Sequence, residues 1–178
     1  MLPILINQFV DEHRTLDERT RVGQCLVNLS KQLGDMAPVY APQIMHAMLR
    51  SARSPDSLIR VSALSNIGEI CALLHFSLKT YIVEILICLE SLLQSDPTIE
   101  VRRAAVMFFH LLFNQINKTE IMAAEEQLKR IYRLLKHSYN TSLDDTIQLH
   151  SQLALEQLGR IAKQFYQVEL PFDRPITM

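Results

Sequence analysis

Apolar residues along this chain recur every three or four positions, in stretches separated by polar or proline-containing breaks. Val22, Leu26, Leu29 and Leu33 form one stripe; Ile44, Met45, Met48 and Leu49 form another, behind Pro38 and Pro42. Ile82, Ile85, Leu86, Leu89 and Leu93 follow a break near His75 to Ser77, and Ile121, Leu128, Ile131 and Leu135 follow Asn117 to Thr119. A last stripe carries Ile147, Leu149, Leu153, Leu155, Leu158, Ile161 and Phe165. Spacings of three and four put side chains on one face of an α-helix, whereas a half-buried strand would alternate in twos. The pattern predicts amphipathic helices throughout.

The helices also come in a repeated order. Ser54-Pro55-Asp56-Ser57-Leu58-Ile59-Arg60-Val61-Ser62-Ala63-Leu64 lies 42 residues before Asp96-Pro97-Thr98-Ile99-Glu100-Val101-Arg102-Arg103-Ala104-Ala105-Val106, pairing Pro55 with Pro97, Ile59 with Val101, Arg60 with Arg102 and Ala63 with Ala105. Ser54 and Asp96 read as helix caps, with each proline at the first helical position, where its missing N–H costs nothing. The branched apolar residue and the alanine sit four apart on one face, and alanine there admits a neighbouring helix closely. A more degenerate copy, Thr15, Asp17, Arg21 and Val22, stands 39 residues ahead of the first of these.

A period of about 40 residues per helix pair is that of HEAT and armadillo arrays. The expected fold is therefore all-α, an armadillo-type superhelix (a HEAT-like α-solenoid) of about three helical hairpins plus flanking helices. Its repeats run over 15–53, 54–95 and 96–138 within one domain, 1–168. Leu2 to Val10 reads as the second helix of a repeat whose first helix is missing, as in the tail of a longer solenoid. Ser142 and Asp145 read as a capping box opening a terminal helix over 142–167. Residues 169–178, with Pro171 and Pro175, read as an extended tail.

Composition agrees with helices. Four glycines in 178 residues are too few for a turn-rich β architecture. A net charge of −1 lacks the basic excess of a nucleic-acid binder. Cys25, Cys71 and Cys88 form no CxxC pair and fall in apolar helical patterns, so they read as small buried hydrophobes of a reducing compartment. The first residues show neither a basic region nor a cleavage site, so they do not read as a signal peptide. The most apolar run, Tyr81 to Leu93, is broken by Glu84 and Glu90 and is too short to span a bilayer, so no transmembrane segment is expected. The sequons at Asn28, Asn117 and Asn140 are then chance matches.

Chemistry is sparse. His13, His46, His75, His110, His137 and His150 are scattered, and no local spacing brings metal ligands together. Asp144-Asp145 and Glu125-Glu126 suit the first turns of helices, where negative charge meets the helix dipole. No phosphate-binding loop, nucleophile elbow or dinucleotide fingerprint occurs. The expectation is a protein that is not an enzyme, with no catalytic residue, no cofactor and no metal. Two features remain. Arg60 and Arg102 read as an inter-repeat ladder, each bonding acids or carbonyls of the adjoining repeat; the other reading has them line a partner-binding face. In the basic cluster Lys129, Arg130, Arg133, Lys136 and His137, the residues Lys129, Arg133 and Lys136 share one side of a helix. A solvated helix face is the plainer reading. As candidate partner-binding residues they suit an acidic protein surface or the periphery of an anionic membrane. Nucleic acid is not expected, since aromatic interleaving is absent.

Four segments together resemble one family. They are Arg21-Val22-Gly23-Gln24-Cys25-Leu26-Val27-Asn28-Leu29 with Leu33-Gly34-Asp35-Met36-Ala37-Pro38; Ser65-Asn66-Ile67-Gly68-Glu69-Ile70-Cys71; Glu100-Val101-Arg102-Arg103-Ala104-Ala105-Val106; and Leu149-His150-Ser151-Gln152-Leu153-Ala154-Leu155-Glu156-Gln157-Leu158. In this order, across about residues 15 to 165, they resemble the C-terminal region of the transport and Golgi organization protein 6 homologs. The resemblance implies an armadillo-type solenoid that works as a scaffold or adaptor in protein secretion and Golgi organisation. The alternative it implies, through fungal relatives, is an adaptor for RNA polymerase II assembly and nuclear import. Its partners would be transport machinery or polymerase subunits, and its place the cytoplasm, at the Golgi or shuttling to the nucleus. A HEAT-repeat adaptor of an unrelated pathway stays open beside these. The family is much longer than this chain and offers no catalytic residue to carry over.

Overall fold

The computed structural model describes residues 2–166, apart from the side chains of 75–77, 118, 119, 121 and 164–166. The expected tail at 169–178 lies outside the described residues, as do the side chains of Ile121 and Phe165 in the apolar stripes. Among the described residues the chain is helix and turn, without a strand. The helices are α1 (Leu2–Val10), α2 (Leu16–Leu33), α3 (Ala37–Ser51), α4 (Ser57–Leu74), α5 (Ile82–Ser95), α6 (Ile99–Phe113), α7 (Lys118–Ala123), α8 (Glu125–Thr141) and α9 (Asp145–Tyr166). Short 3-10 turns occupy Gly34–Met36 and His75–Thr80.

The helix starts follow from carboxylates and hydroxyls placed to take orphan N–H groups. At α2, Thr15 Oγ1 accepts the Glu18 N–H at 3.3 Å while Glu18 Oε2 accepts the Thr15 N–H at 2.9 Å, a complete capping box. At α4 the cap is Asp56, whose Oδ1 accepts from the Leu58 and Ile59 N–H groups. Ser54 and Pro55 therefore stand in the lead-in, and Pro55 and Pro97 both precede the first helical turn instead of opening it. Asp96 accepts the Thr98 N–H at 2.9 Å, again before the helix. At α9 Asp144 accepts the Ile147 N–H at 3.0 Å, so Asp144 replaces the expected Ser142–Asp145 box. Gly34 ends α2 at φ 51°, a backbone conformation that glycine adopts without steric cost. The second helix expected in the third repeat is two, broken at the fully buried Ala124 between α7 and α8.

Packing arranges the long helices in two rows. In one row α2, α4, α6 and α9 lie against one another in that order; in the other α1 meets α3 and α5 meets α8. Each helix of the second row seats chiefly on the helix that follows it, α1 on α2, α3 on α4, α5 on α6 and α8 on α9. The tightest pairs are thus offset by one helix from the hairpins 15–53, 54–95 and 96–138. Helix α4 is enclosed by α2, α3 and α6. It therefore buries Ile59, Ala63, Leu64, Ile67, Ile70, Cys71 and Leu74, on more than one face. By length and composition α4, rather than the run from Tyr81 to Leu93, is the helix long and apolar enough to cross a membrane among the described residues. Half of it is buried inside the fold, and it carries the buried polar residues Arg60 and Asn66.

Small residues sit where rows and helices meet. Ala63 and Ala105 are fully buried. At Gly23 a Cβ would stand 2.6 Å from Asn66 Nδ2 and 2.8 Å from Phe9 Cε2, so glycine is what lets α2 accept side chains of α4 and α1 at this depth. Of the cysteines, Cys71 and Cys88 are buried, and burial pushes the Cys71 thiol up to about 12. Cys25 is exposed, contrary to expectation, because it lies on the outer face of α2 beside the exposed Gln24 and Asn28.

Candidate functional site

The two sequence-derived features separate in the structure. Arg60 reaches from α4 to the lead-in of α6. Its Nε lies 2.8 Å from Asp96 Oδ2, and its Nη2 donates to Asp96 Oδ1 at 2.9 Å. Its Nη1 donates to the Ser54 and Pro55 carbonyls at 2.8 and 2.9 Å. One guanidinium therefore holds the lead-ins of α4 and α6 together, with both ions nearly removed from water.

Arg102 does not repeat this. Its Nε is buried without a hydrogen-bond partner, and among the described residues no carboxylate pairs with it. The neighbouring Arg103 takes the contact instead, with Nε and Nη2 donating to Asp144 Oδ2 at 3.0 and 2.6 Å. The cause is where the acceptor stands. Forty-two residues on from Asp96 is Ser138, which lies inside α8 and offers no carboxylate. Asp144 adjoins the first residue of α9, whereas Asp96 stands three residues before α6. The acceptor is swung round, and the arginine one position along α6 meets it. Hydrogen bonding to Arg103 holds the Asp144 carboxyl below its ordinary range and pushes the Arg103 guanidinium up. Two further pairs complete the series, Lys31 with Glu69 at 2.6 Å and Arg130 with Glu90 at 3.0 Å. The four links join positions 38, 36, 40 and 41 residues apart.

The basic cluster is thereby divided. Arg130 is spent on α5. Lys129 bonds Glu125 and Glu126 of its own helix at 3.0 and 3.1 Å, which pushes its ammonium pKa up and leaves it partly neutralised. Arg133 and Lys136 are exposed, and among the described residues neither has a carboxylate partner. Leu128, Ile131 and Leu135 anchor the opposite side of α8 in the core and so fix which side these cations face.

They rim a cleft between α8 and α9. One hollow of about 430 Å³ is lined by Leu128, Lys129, Tyr132, Arg133, Leu158, Ile161 and Ala162, with Glu125. A second, of about 580 Å³, continues from the shared Tyr132, Leu158 and Ala162 to Lys136, Tyr139, Leu155 and Gly159. Tyr132 and Tyr139 are 47% and 41% exposed, large apolar rings left on the surface beside free cations. The floor is apolar because α9 turns Leu155, Leu158 and Ala162 towards α8. Sequence reasoning found the cations and missed the tyrosines. Their spacing of seven, which puts them on one helical face, was the available signal. Among the described residues no three histidine, cysteine, aspartate or glutamate side chains converge to hold a metal ion.

Such a cleft can grip a partner's apolar side chains and steer its acidic ones. The sequence compared with other proteins gives it a context. The chain is similar to Transport and Golgi organization protein 6 of Drosophila melanogaster. The two are 28% identical over 171 residues, which is 96% of this chain and 18% of Transport and Golgi organization protein 6. The chain thus spans less than a fifth of that relative's length, and it supports the resemblance read from the four segments. No protein-family model matches the chain.

Proposed function

We propose that this chain is a stretch of HEAT-type α-solenoid, without enzymatic activity, that holds protein partners in the service of protein secretion and Golgi organisation. The ordered rows of helices support the solenoid reading, as do ion pairs that each step one repeat along the chain. Similarity to Transport and Golgi organization protein 6 supports the secretory setting. The observation that carries partner binding is the α8–α9 cleft, apolar inside and rimmed by the unpaired Arg133 and Lys136. Exposed apolar patches with charged rims mark interaction surfaces, and rim charge governs encounter more than stability.

Photo-crosslinking in cells from a reactive amino acid at position 132 or 139 tests this. The expected result is crosslinking to proteins of the secretory route, lost in Arg133→Glu/Lys136→Glu at equal folding and, when repeated in lysate, weakened by added salt. Crosslinks to polymerase subunits or import factors would move the protein to the nuclear pathway. Crosslinks unchanged by the double substitution would remove the cleft from the binding surface.

A further inference from the structure

A cavity of about 320 Å³ lies among the α1–α2 turn, α2, α3 and α5, sharing no residue with the α8–α9 cleft. One buried residue of its wall is Arg19. That residue is 6% exposed, and its Nε donates to the Phe9 carbonyl at 3.0 Å, near the end of α1. Among the described residues no carboxylate pairs with it. Burying a cation without a counter-charge is costly, and proteins ordinarily pair such groups.

The rest of the cavity adds donors. Arg50 lies in the last turn of α3 and Arg53 two residues beyond its end, where the helix dipole favours cations. Neither has a carboxylate partner among the described residues. Ser51 lines the same space and is 2% exposed, with its Oγ enclosed behind the wall. Three guanidiniums thus surround one hollow. Glu12 and Glu84 also line it and form no ion pair with the arginines.

We propose that this cavity binds the phosphate group of a small soluble phosphate ester. Guanidinium forks match phosphate oxygens in shape and charge, and the volume is that of a small-ligand pocket. Glu12 and Glu84 would accept from hydroxyl or N–H donors on the ester's organic part, favouring an ester over the bare ion. The inference is independent of the Golgi reading.

Calorimetric titration of the chain with inorganic phosphate and with glycerol 3-phosphate, at constant ionic strength, tests it. Both should bind saturably, the ester more tightly. Arg50→Ala/Arg53→Ala should weaken both by about tenfold or more, since charge-assisted hydrogen bonds are worth that much. These arginines are exposed, so the melting temperature of the double variant should stay that of the wild type. Glu84→Gln should narrow the preference for the ester. Tyr132→Ser/Arg133→Glu, in the cleft, should leave phosphate binding unchanged, so the two sites fail separately. No saturable binding of either probe, or equal binding by the double arginine variant, overturns the proposal. Binding to phosphoinositide vesicles without binding to the soluble probes overturns it in favour of a membrane surface.

Discussion

Arg60 and Asp96 stand 36 residues apart in the chain and 2.8 Å apart in space, with side chains 9% and 4% exposed. The guanidinium uses its remaining N–H groups on the Ser54 and Pro55 carbonyls, so the buried ions are also hydrogen-bonded. Such a pair need not stabilise more than an apolar one, but removing one partner strands the other. Arg60→Met should cost about 3–5 kcal/mol in urea unfolding, because it strands the buried Asp96 carboxyl without its partner. Arg60→Met with Asp96→Leu should recover most of the loss. Equal stability of the single and double variants would show that the two residues do not act as a unit.

Ala105 is fully buried in α6, which packs against α4, α5 and α9. Ala105→Leu forces extra methylenes into an occupied space and should cost about 1–3 kcal/mol. A melting temperature equal to the wild type would mean that the row of helices is looser here than the burial indicates.

Two helical glycines should respond with opposite sign. Alanine in a helix interior is ordinarily about 1 kcal/mol better than glycine. At Gly159 a Cβ meets nothing within 4 Å, so Gly159→Ala should raise the melting temperature. At Gly23 the Cβ would press on Asn66 and on the Phe9 ring, so the steric cost should exceed the propensity gain and Gly23→Ala should lower it. Melting both variants side by side controls for propensity. A rise in both would place the α2–α4 approach wider than described.

His150 of α9 faces His110 of α6, ring centroids 5.5 Å apart, each with a buried Nδ1 that has no partner. Burial first, and the charge of His110 second, hold the His150 pKa below the ordinary value of 6.5. The unfolded chain therefore takes up the proton at a higher pH than the folded one. Stability from this group is fully present above pH 6.5 and is lost as pH falls from there towards the folded value. Thermal melts across that window should show the loss, and His150→Gln should flatten it. An unchanged slope in the variant would assign the pH dependence to other groups.

Helix existence was legible because burial on one side of a helix writes itself as a spacing of three and four. Val22, Leu26, Ile59, Ala63, Val101 and Ala105 are read that way and are buried or half-buried. Cap positions were less legible. Ser54, Asp56 and Asp96 are all good acceptors within a few residues of a start, and only the backbone path selects which one meets the free N–H groups. The candidate site divided similarly. Lys129, Arg133 and Lys136 stood out as charges, while Tyr132 and Tyr139 went unread, although they interleave aromatic rings with the cations where none was expected.

What the sequence by itself determined is the helical period and the presence of Arg60 and the α8 cations, since each is a property of residues near one another in the chain. What only the tertiary structure decided is how those residues are spent. Arg103 rather than Arg102 takes the carboxylate in front of α9 because α9 starts immediately after Asp144, while α6 starts three residues after Asp96. Arg130 is drawn to Glu90 of α5, and Arg133 and Lys136 are left on an apolar cleft. Ionic partners 36 to 41 residues apart are set by the distance between helices, and a spacing rule that operates within one helix carries no information about that distance.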